Sequence, residues 1–144
     1  MKRHVILLIA SMLFSVSVQL SAQTPVYLTK AYKPVESDRY TAYSSLEIQG
    51  GDTWNNCFTL GVINNYHGYA TFNIGGKYET ISFILGAVKN HGGYDPNIVQ
   101  IHADGKRIFD HVLRDGDLGQ HFTLNISGVD KLEFSLVKPE VEAA

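Results

Sequence analysis

The sequence predicts an all-β protein: a two-sheet antiparallel β-sandwich, jelly-roll-like, with about eight or nine strands. Three observations predict this fold. Apolar and polar residues alternate with a period of two along most of the chain. Turn signals that contain glycine separate the alternating runs at intervals of roughly 8 to 14 residues. Beyond Ala22, no segment carries the apolar stripe of a sustained amphipathic helix.

The alternating runs define the strands. Apolar residues recur at every second position in several short segments, such as Ala70, Phe72 and Ile74; Ile81, Phe83 and Leu85; Phe122, Leu124 and Ile126; and Leu132, Phe134 and Leu136. Such a strand has one side on a core and the other in solvent. Because every strand offers only one apolar face, a second sheet is needed to cover it, which favours a sandwich.

One turn is specific enough to fix a register. Asp104-Gly105 separates an apolar run over residues 98–103 from a second run over residues 106–112. A two-residue hairpin loop of type I′ needs a positive φ at both central residues, and Asp-Gly is among the sequences that supply it. The sequence therefore predicts a tight hairpin here.

The segment over residues 1–22 has the pattern of a secretory signal peptide. Residues 2–4 are basic, residues 5–18 are almost wholly apolar, and small residues up to Ala22 precede a cut ahead of Gln23. The apolar run of about 14 residues is shorter than the roughly 20 that a membrane span needs. A short membrane anchor is the alternative. We therefore expect an exported protein, periplasmic or secreted, with no membrane span after cleavage.

Beyond this segment we expect a leader or edge strand over residues 23–42, one sandwich domain over residues 43–138 and a disordered tail over residues 139–144. Without the predicted signal peptide the chain has ten basic and fourteen acidic side chains, a net charge of −4. With this charge and no basic cluster, nucleic acids and anionic membrane surfaces are excluded as favoured partners. Nothing in the sequence selects an oligomeric state.

The middle of the chain resembles a known family. Residues 68–78 contain a Gly-Lys-Tyr step, residues 81–86 end in Leu-Gly, and residues 99–109 contain Asp-Gly-Lys, all in this order; the segment over residues 122–134 fits the last two strands. This arrangement resembles the NPCBM family, which is related to carbohydrate-binding module family 51. The resemblance covers roughly residues 43–137. It implies a jelly-roll-like sandwich with a sugar-binding or accessory role.

Sugar binding needs an aromatic face for the apolar side of a pyranose, with amides or carboxylates for its hydroxyls. Residues 51–56, 64–69 and 89–97 combine these groups, although each segment could also be an ordinary turn or core edge. The candidate ligand-binding residues are Trp54, Asn55, Tyr66, His67, His91, Tyr94 and Asp95. We expect the segments to converge at one end of the sandwich.

Catalytic and metal-binding patterns are weak. The sequence has no Gly-x-Ser-x-Gly, no phosphate-binding glycine loop and no His-Glu-x-x-His. Glu47, Asp52 and Asp95 are candidates for a hydrolytic carboxylate pair that only the fold could assemble. No histidine pair has metal-ligand spacing, but residues 115–117 (Asp-Gly-Asp) could donate oxygens to a structural calcium or form a hydrated turn. We expect no enzyme activity, no metal site and no cofactor apart from that calcium.

Two functions remain open. The first is a non-catalytic exported module, similar to carbohydrate-binding modules, that recognises a glycan through aromatic residues in loops. The second is an envelope protein-interaction domain that keeps the fold without sugar binding. A sugar site needs Trp54 or Tyr94 exposed in a concavity, whereas a protein-interaction domain should expose a broad apolar patch.

Overall fold

A computed structural model describes residues 3–9, 12–17, 26–48, 51–63, 66–87, 96–114, 116–117 and 119–139. These residues form thirteen strands and one short helix. The elements are β1 (Arg3–Ile9), β2 (Met12–Ser17), β3 (Val26–Tyr27), α1 (Leu28–Ala31), β4 (Glu36–Asp38), β5 (Tyr40–Glu47), β6 (Thr53–Leu60), β7 (Val62–Ile63), β8 (Tyr66–Asn73), β9 (Tyr78–Ala87), β10 (Asn97–Ala103), β11 (Lys106–Leu113), β12 (Gln120–Asn125) and β13 (Lys131–Val137).

The strands form two sheets. The seven-stranded sheet has the order β12-β9-β1-β2-β6-β5, with β3 paired to β1; the six-stranded sheet has the order β11-β10-β13-β8-β4, with β7 paired to β8. All pairs are antiparallel except those that β1 makes with β3, β6 and β9. The predicted all-β sandwich is confirmed. The structure has four more strands than the upper predicted number, because β3 and β7 have two residues each and β1 and β2 come from the predicted signal peptide.

Phenylalanine side chains from both sheets meet in the core. Phe58 of the seven-stranded sheet lies 5.8 Å from Phe72 and 5.5 Å from Phe134, between ring centroids, and the latter two belong to neighbouring strands of the six-stranded sheet. Phe83 and Leu85 are also completely buried, as the period-two pattern predicts. Aromatic pairs at such distances add about 0.5–1.5 kcal/mol each to the free energy gained from burial.

The predicted hairpin between β10 and β11 is confirmed. Asp104 and Gly105 have φ angles of 49° and 83°, and Ala103 pairs with Lys106 across the turn. The Asp104 carboxylate also accepts a hydrogen bond of 2.8 Å from the backbone N–H of Lys131, at the start of β13. The turn is thereby tied to the neighbouring strand of the sheet.

The segment before β5 contributes to the core. Leu28 in α1 is completely buried, and the Tyr32 and Tyr78 hydroxyls are 2.6 Å apart. β4 pairs with β8 and forms one edge of the six-stranded sheet. Residues 26–38 are therefore packed as part of the sandwich.

In this structure of the full chain, the predicted signal peptide supplies β1 and β2. Both strands lie between β9 and β6 in the seven-stranded sheet, and both pair with each of those strands. Cleavage ahead of Gln23 stays a prediction, and so does the disordered tail, because residues 140–144 lie outside the described part of the chain.

Two glycines that touch each other provide a test of the packing. A Cβ atom at Gly68 would lie 2.3 Å from the Gly61 carbonyl oxygen, a backbone atom, whereas a Cβ at Gly61 would meet only the Arg39 side chain at 3.6 Å. We expect Gly68→Ala to lower the free energy of unfolding by about 1–3 kcal/mol. Gly61→Ala should change it by less than about 0.5 kcal/mol. Urea denaturation of both variants measures the difference, and equal stability would show that the Gly61–Gly68 contact is looser than described.

Candidate functional site

Trp54 lies in a strand and not in the loop that the sequence suggested. It is the second residue of β6 and pairs with Leu46 of β5. The turn that joins these strands is short because the backbone N–H of Ile48 donates to the Asp52 carbonyl and Gly51 adopts a φ of 90°. The hairpin therefore continues through Trp54, whose side chain is partly buried.

The indole ring of Trp54 packs on two glycines. A Cβ atom at Gly119 would lie 2.6 Å from Trp54 Cζ2, and one at Gly86 would lie 3.4 Å from Trp54 Cη2. Any larger residue at position 119 would occupy the volume of the ring. The absence of side chains at these two positions therefore lets the ring lie directly against the backbone beside β9 and β12.

Trp54 also packs against a small apolar cluster. Ile48 and Cys57 form its buried part, with Tyr43, Leu46 and Trp54 packed against them. Asn56, between Trp54 and Cys57, has a left-handed φ of 55°, which interrupts the alternation of β6. This irregularity explains how Trp54 and Cys57, three residues apart, can join one cluster.

Cys57 has no features of a reactive thiol. Its side chain is completely buried, and burial raises its pKa to about 12. The thiol is therefore protonated at neutral pH, and only a thiolate would act as a nucleophile or a metal ligand. Cys57 serves as a small apolar residue beneath Trp54.

The other predicted site residues are distributed over both sheets and beyond them. Asn55 is exposed in β6 opposite Ser45, and His67 is exposed in β8 of the six-stranded sheet. The backbone of Tyr66 pairs with Ile63 at the start of β8. His91, Tyr94 and Asp95 lie outside the described residues.

The predicted convergence of these residues at one end of the sandwich stays a prediction. Trp54 and His67 belong to different sheets, because β6 and β8 are on opposite sides of the core. Gly86, which contacts the Trp54 ring, is the residue before the last one of β9, and the chain continues from β9 toward His91 and Tyr94. That those residues approach Trp54 stays a prediction.

A polar groove on the outer face of the six-stranded sheet was missed by sequence reasoning. Its volume is about 420 Å³, and its lining residues are Glu36, Thr71, His102, Gly105, Lys131 and Glu133. The polarity of these positions is visible in the sequence. Their proximity depends on the pairing of four strands that are far apart along the chain, and no local pattern encodes that pairing.

The described carboxylates that the sequence predicted as calcium ligands or catalytic groups lie in or beside turns. Asp117 Oδ2 accepts a hydrogen bond of 2.8 Å from the Arg114 backbone N–H, and Asp115 lies outside the described residues. Glu47 and Asp52 are exposed at the β5–β6 turn. In the described ranges no three His, Cys, Asp or Glu residues are grouped for a metal ion, and no helix has the length and apolarity to cross a membrane.

Comparison with known proteins identifies the family. The family model of the NPCBM/NEW2 domain matches residues 16–141. The chain belongs to the NPCBM/NEW2 domain family. A solved structure described as the CBM51 from Clostridium perfringens GH95 in complex with methyl-galactose is similar, with a TM-score of 0.57 and 14% sequence identity over 79% of this chain and 87% of that chain. No curated protein matches the chain.

These findings confirm two predictions. The family match bears out the resemblance to the NPCBM family, and the similar solved structure bears out the sandwich fold. The NPCBM protein is therefore a carbohydrate-binding-module-like domain. Its own ligand and the residues that bind it are matters for proposal.

Because Trp54 is the single tryptophan, its fluorescence reports on the packing described above. Gly119→Ala would place a methyl group 2.6 Å from the ring, so the ring must move toward solvent. We expect the emission maximum to shift to longer wavelength. Gly61→Ala serves as the control, because its Cβ would meet only the Arg39 side chain at the ordinary contact distance of 3.6 Å. An unchanged spectrum for Gly119→Ala would contradict the contact between Trp54 and Gly119.

Proposed function

We propose that this NPCBM-family protein is an exported, non-catalytic module that binds a glycan through Trp54. The observation that carries the proposal is the packing of a partly exposed tryptophan on Gly86 and Gly119, in a fold similar to a sugar-bound module. An aromatic ring that is already fixed in place offers its face to a pyranose without losing much conformational freedom on binding. Preorganisation of this kind supports a binding role for Trp54.

Polar side chains on the same hairpin as Trp54 can supply hydrogen bonds to a sugar. Asp52, Thr53 and Asn55 are exposed on the same hairpin. Their carboxylate, hydroxyl and amide groups can accept and donate hydrogen bonds to sugar hydroxyls. Asp52, two residues before Trp54, can add a carboxylate on the indole's side, whereas Thr53 and Asn55 are its neighbours along β6 and point to the opposite face of the strand.

The carboxylates on this hairpin favour binding over hydrolysis. A glycosidase needs two carboxyl groups held at a fixed separation on either side of the scissile bond. Glu47 and Asp52 are instead both exposed to solvent at the end of a hairpin. This arrangement supports recognition without bond cleavage.

The distribution of apolar surface argues against the protein-interaction alternative. Among the described residues the large apolar side chains with high exposure are Val35, at 57%, and Val112, at 45%. Val35 precedes β4 and Val112 lies in β11, and these strands form opposite edges of the six-stranded sheet. The two side chains therefore do not combine into the broad patch that a protein interface requires.

A glycan array tests the binding proposal. We expect specific binding by the wild-type protein, and a loss of at least tenfold in affinity for Trp54→Ala, because stacking on the indole is removed. Val112→Ala is the control on the other sheet and should bind like the wild type. Thermal unfolding of each variant shows whether the fold survives. Absence of any glycan signal from a folded wild-type protein would transfer support to the protein-interaction alternative.

The identity of the N-terminal residue in the recovered protein tests the proposed export. Expression of the full coding sequence in a bacterium, followed by mass spectrometry of the protein from periplasm and medium, should recover a chain that begins at Gln23. Such cleavage removes β1 and β2, so the facing edges of β6 and β9 lose these partners. Recovery of an intact Met1 terminus from the cytoplasm would contradict export and make both strands permanent parts of the domain.

A further inference from the structure

The outer face of the six-stranded sheet carries a row of polar residues in direct register. Glu36 of β4 pairs with Thr71 of β8, Thr71 pairs with Glu133 of β13, and Glu133 pairs with His102 of β10. Directly paired residues of neighbouring strands point to the same face. We call these four residues the outer-face row. They line the groove of about 420 Å³ together with Gly105 and Lys131.

The alternation of the strands places the row on the outer side of the six-stranded sheet, where Thr71 itself is only 8% exposed. Phe72 and Phe134, the neighbours of Thr71 and Glu133 in sequence, are completely buried in the core. Since successive side chains of a strand point to opposite faces, Thr71 and Glu133 must lie on the other side of the sheet. The outer-face row is therefore held by the packed core behind it.

Neighbouring side chains of the row lie close together but leave part of their hydrogen-bonding capacity unused. The Thr71 hydroxyl donates to Glu133 Oε2 at 3.4 Å, near the upper limit for a hydrogen bond. His102 Nδ1 lies 3.9 Å from Glu133 Oε1, too far for a direct bond. His102 Nδ1 is also buried and has no hydrogen-bond partner among the described residues. Nδ1 itself has no accessible surface, but the His102 side chain as a whole is 27% exposed and that of Glu133 is 42% exposed, so a ligand in the groove can reach both side chains.

The groove combines donors and acceptors of both charges. Glu36 and Glu133 are carboxylates, Lys131 is an ammonium group, and Thr71 and His102 are polar. Vicinal hydroxyl groups can donate hydrogen bonds to carboxylates and accept them from ammonium or imidazole groups. A polyhydroxylated ligand can therefore form hydrogen bonds with each of these polar side chains. The two carboxylates would repel an anionic sugar.

The length of the row fits an extended ligand. The four strands are separated by three spacings of about 4.8 Å, which gives about 14 Å from Glu36 to His102. This is longer than one pyranose ring. Tyr69, two residues before Thr71 on the same face of β8, is partly exposed and pairs with Ser135 and Asp38. It places an aromatic ring beside the row.

We propose that the outer-face row binds a neutral oligosaccharide that lies across the strands from β4 to β10. The groove has a volume within the range of about 300–1,000 Å³ that is usual for ligand sites. This inference rests on the proposed glycan-binding function and adds a second, separate site to it. The Trp54 site is in the seven-stranded sheet, so the two sites can be tested one at a time.

Calorimetric titration of the protein expressed from its full coding sequence provides the test. The probes are methyl-galactose and neutral galactose-containing oligosaccharides of increasing length. We expect affinity to rise with length until the ligand spans the row. Glu133→Gln should weaken binding of the longer probes about tenfold, because a charge-assisted hydrogen bond is lost. Glu79→Gln, an exposed carboxylate of β9 in the other sheet, is the matched control and should leave binding unchanged.

A second measurement separates a direct contact from a structural effect. The ring-proton NMR signals of His102, assigned with His102→Gln, should shift on addition of the longer probes. Binding that is lost in Trp54→Ala but unaffected by Glu133→Gln would overturn the groove and leave the Trp54 proposal intact. Binding that is lost in Glu133→Gln but unaffected by Trp54→Ala would overturn the Trp54 proposal and leave the groove intact. No heat with any probe, together with unmoved His102 signals, would overturn the groove as a site for neutral sugars.

Discussion

The contact among Phe58, Phe72 and Phe134 is the interaction on which the rest of the structure depends. Their ring centroids lie 5.5–5.9 Å apart and join the two sheets. Because side chains alternate along a strand, burial of Phe72 and Phe134 directs Thr71 and Glu133 to the outer face. A shift of one residue in either strand would exchange core and groove, so the same packing that stabilises the sandwich also defines the surface available for binding.

The sequence could predict features that depend on neighbouring residues. The hairpin at Asp104-Gly105 follows from local turn chemistry, and the buried faces of the strands follow from their period of two. The pairing of Thr71 with Glu133 could not be predicted, because 62 residues separate them and the register is set by the whole core. Trp54 was placed in a loop for a different reason: polar residues and glycines surround it in the sequence, and the left-handed backbone at Asn56 interrupts the period of two that would have indicated a strand.

Two binding surfaces on opposite sheets would have consequences for how the protein engages a glycan. A short ligand at Trp54 could not reach the outer-face row, because the core separates the sheets. Each site would then bind weakly by itself, as small sugar contacts do. A glycan-rich surface would offer ligands to both sites, and a second contact made by a molecule that is already bound benefits from a high effective concentration. The geometry therefore suits attachment to branched or densely packed glycans.

The predicted cleavage affects the two surfaces differently. β1 and β2 belong to the seven-stranded sheet, where they pair with β6, the strand that carries Trp54. The strands of the outer-face row belong to the other sheet and make no pair with them. Removal of the predicted signal peptide thus takes no strand from the six-stranded sheet that carries the groove, whereas β6 loses its pairing with β1 and β2. Of the two surfaces, the groove is therefore the one whose geometry in the exported protein should most closely follow the structure of the full chain.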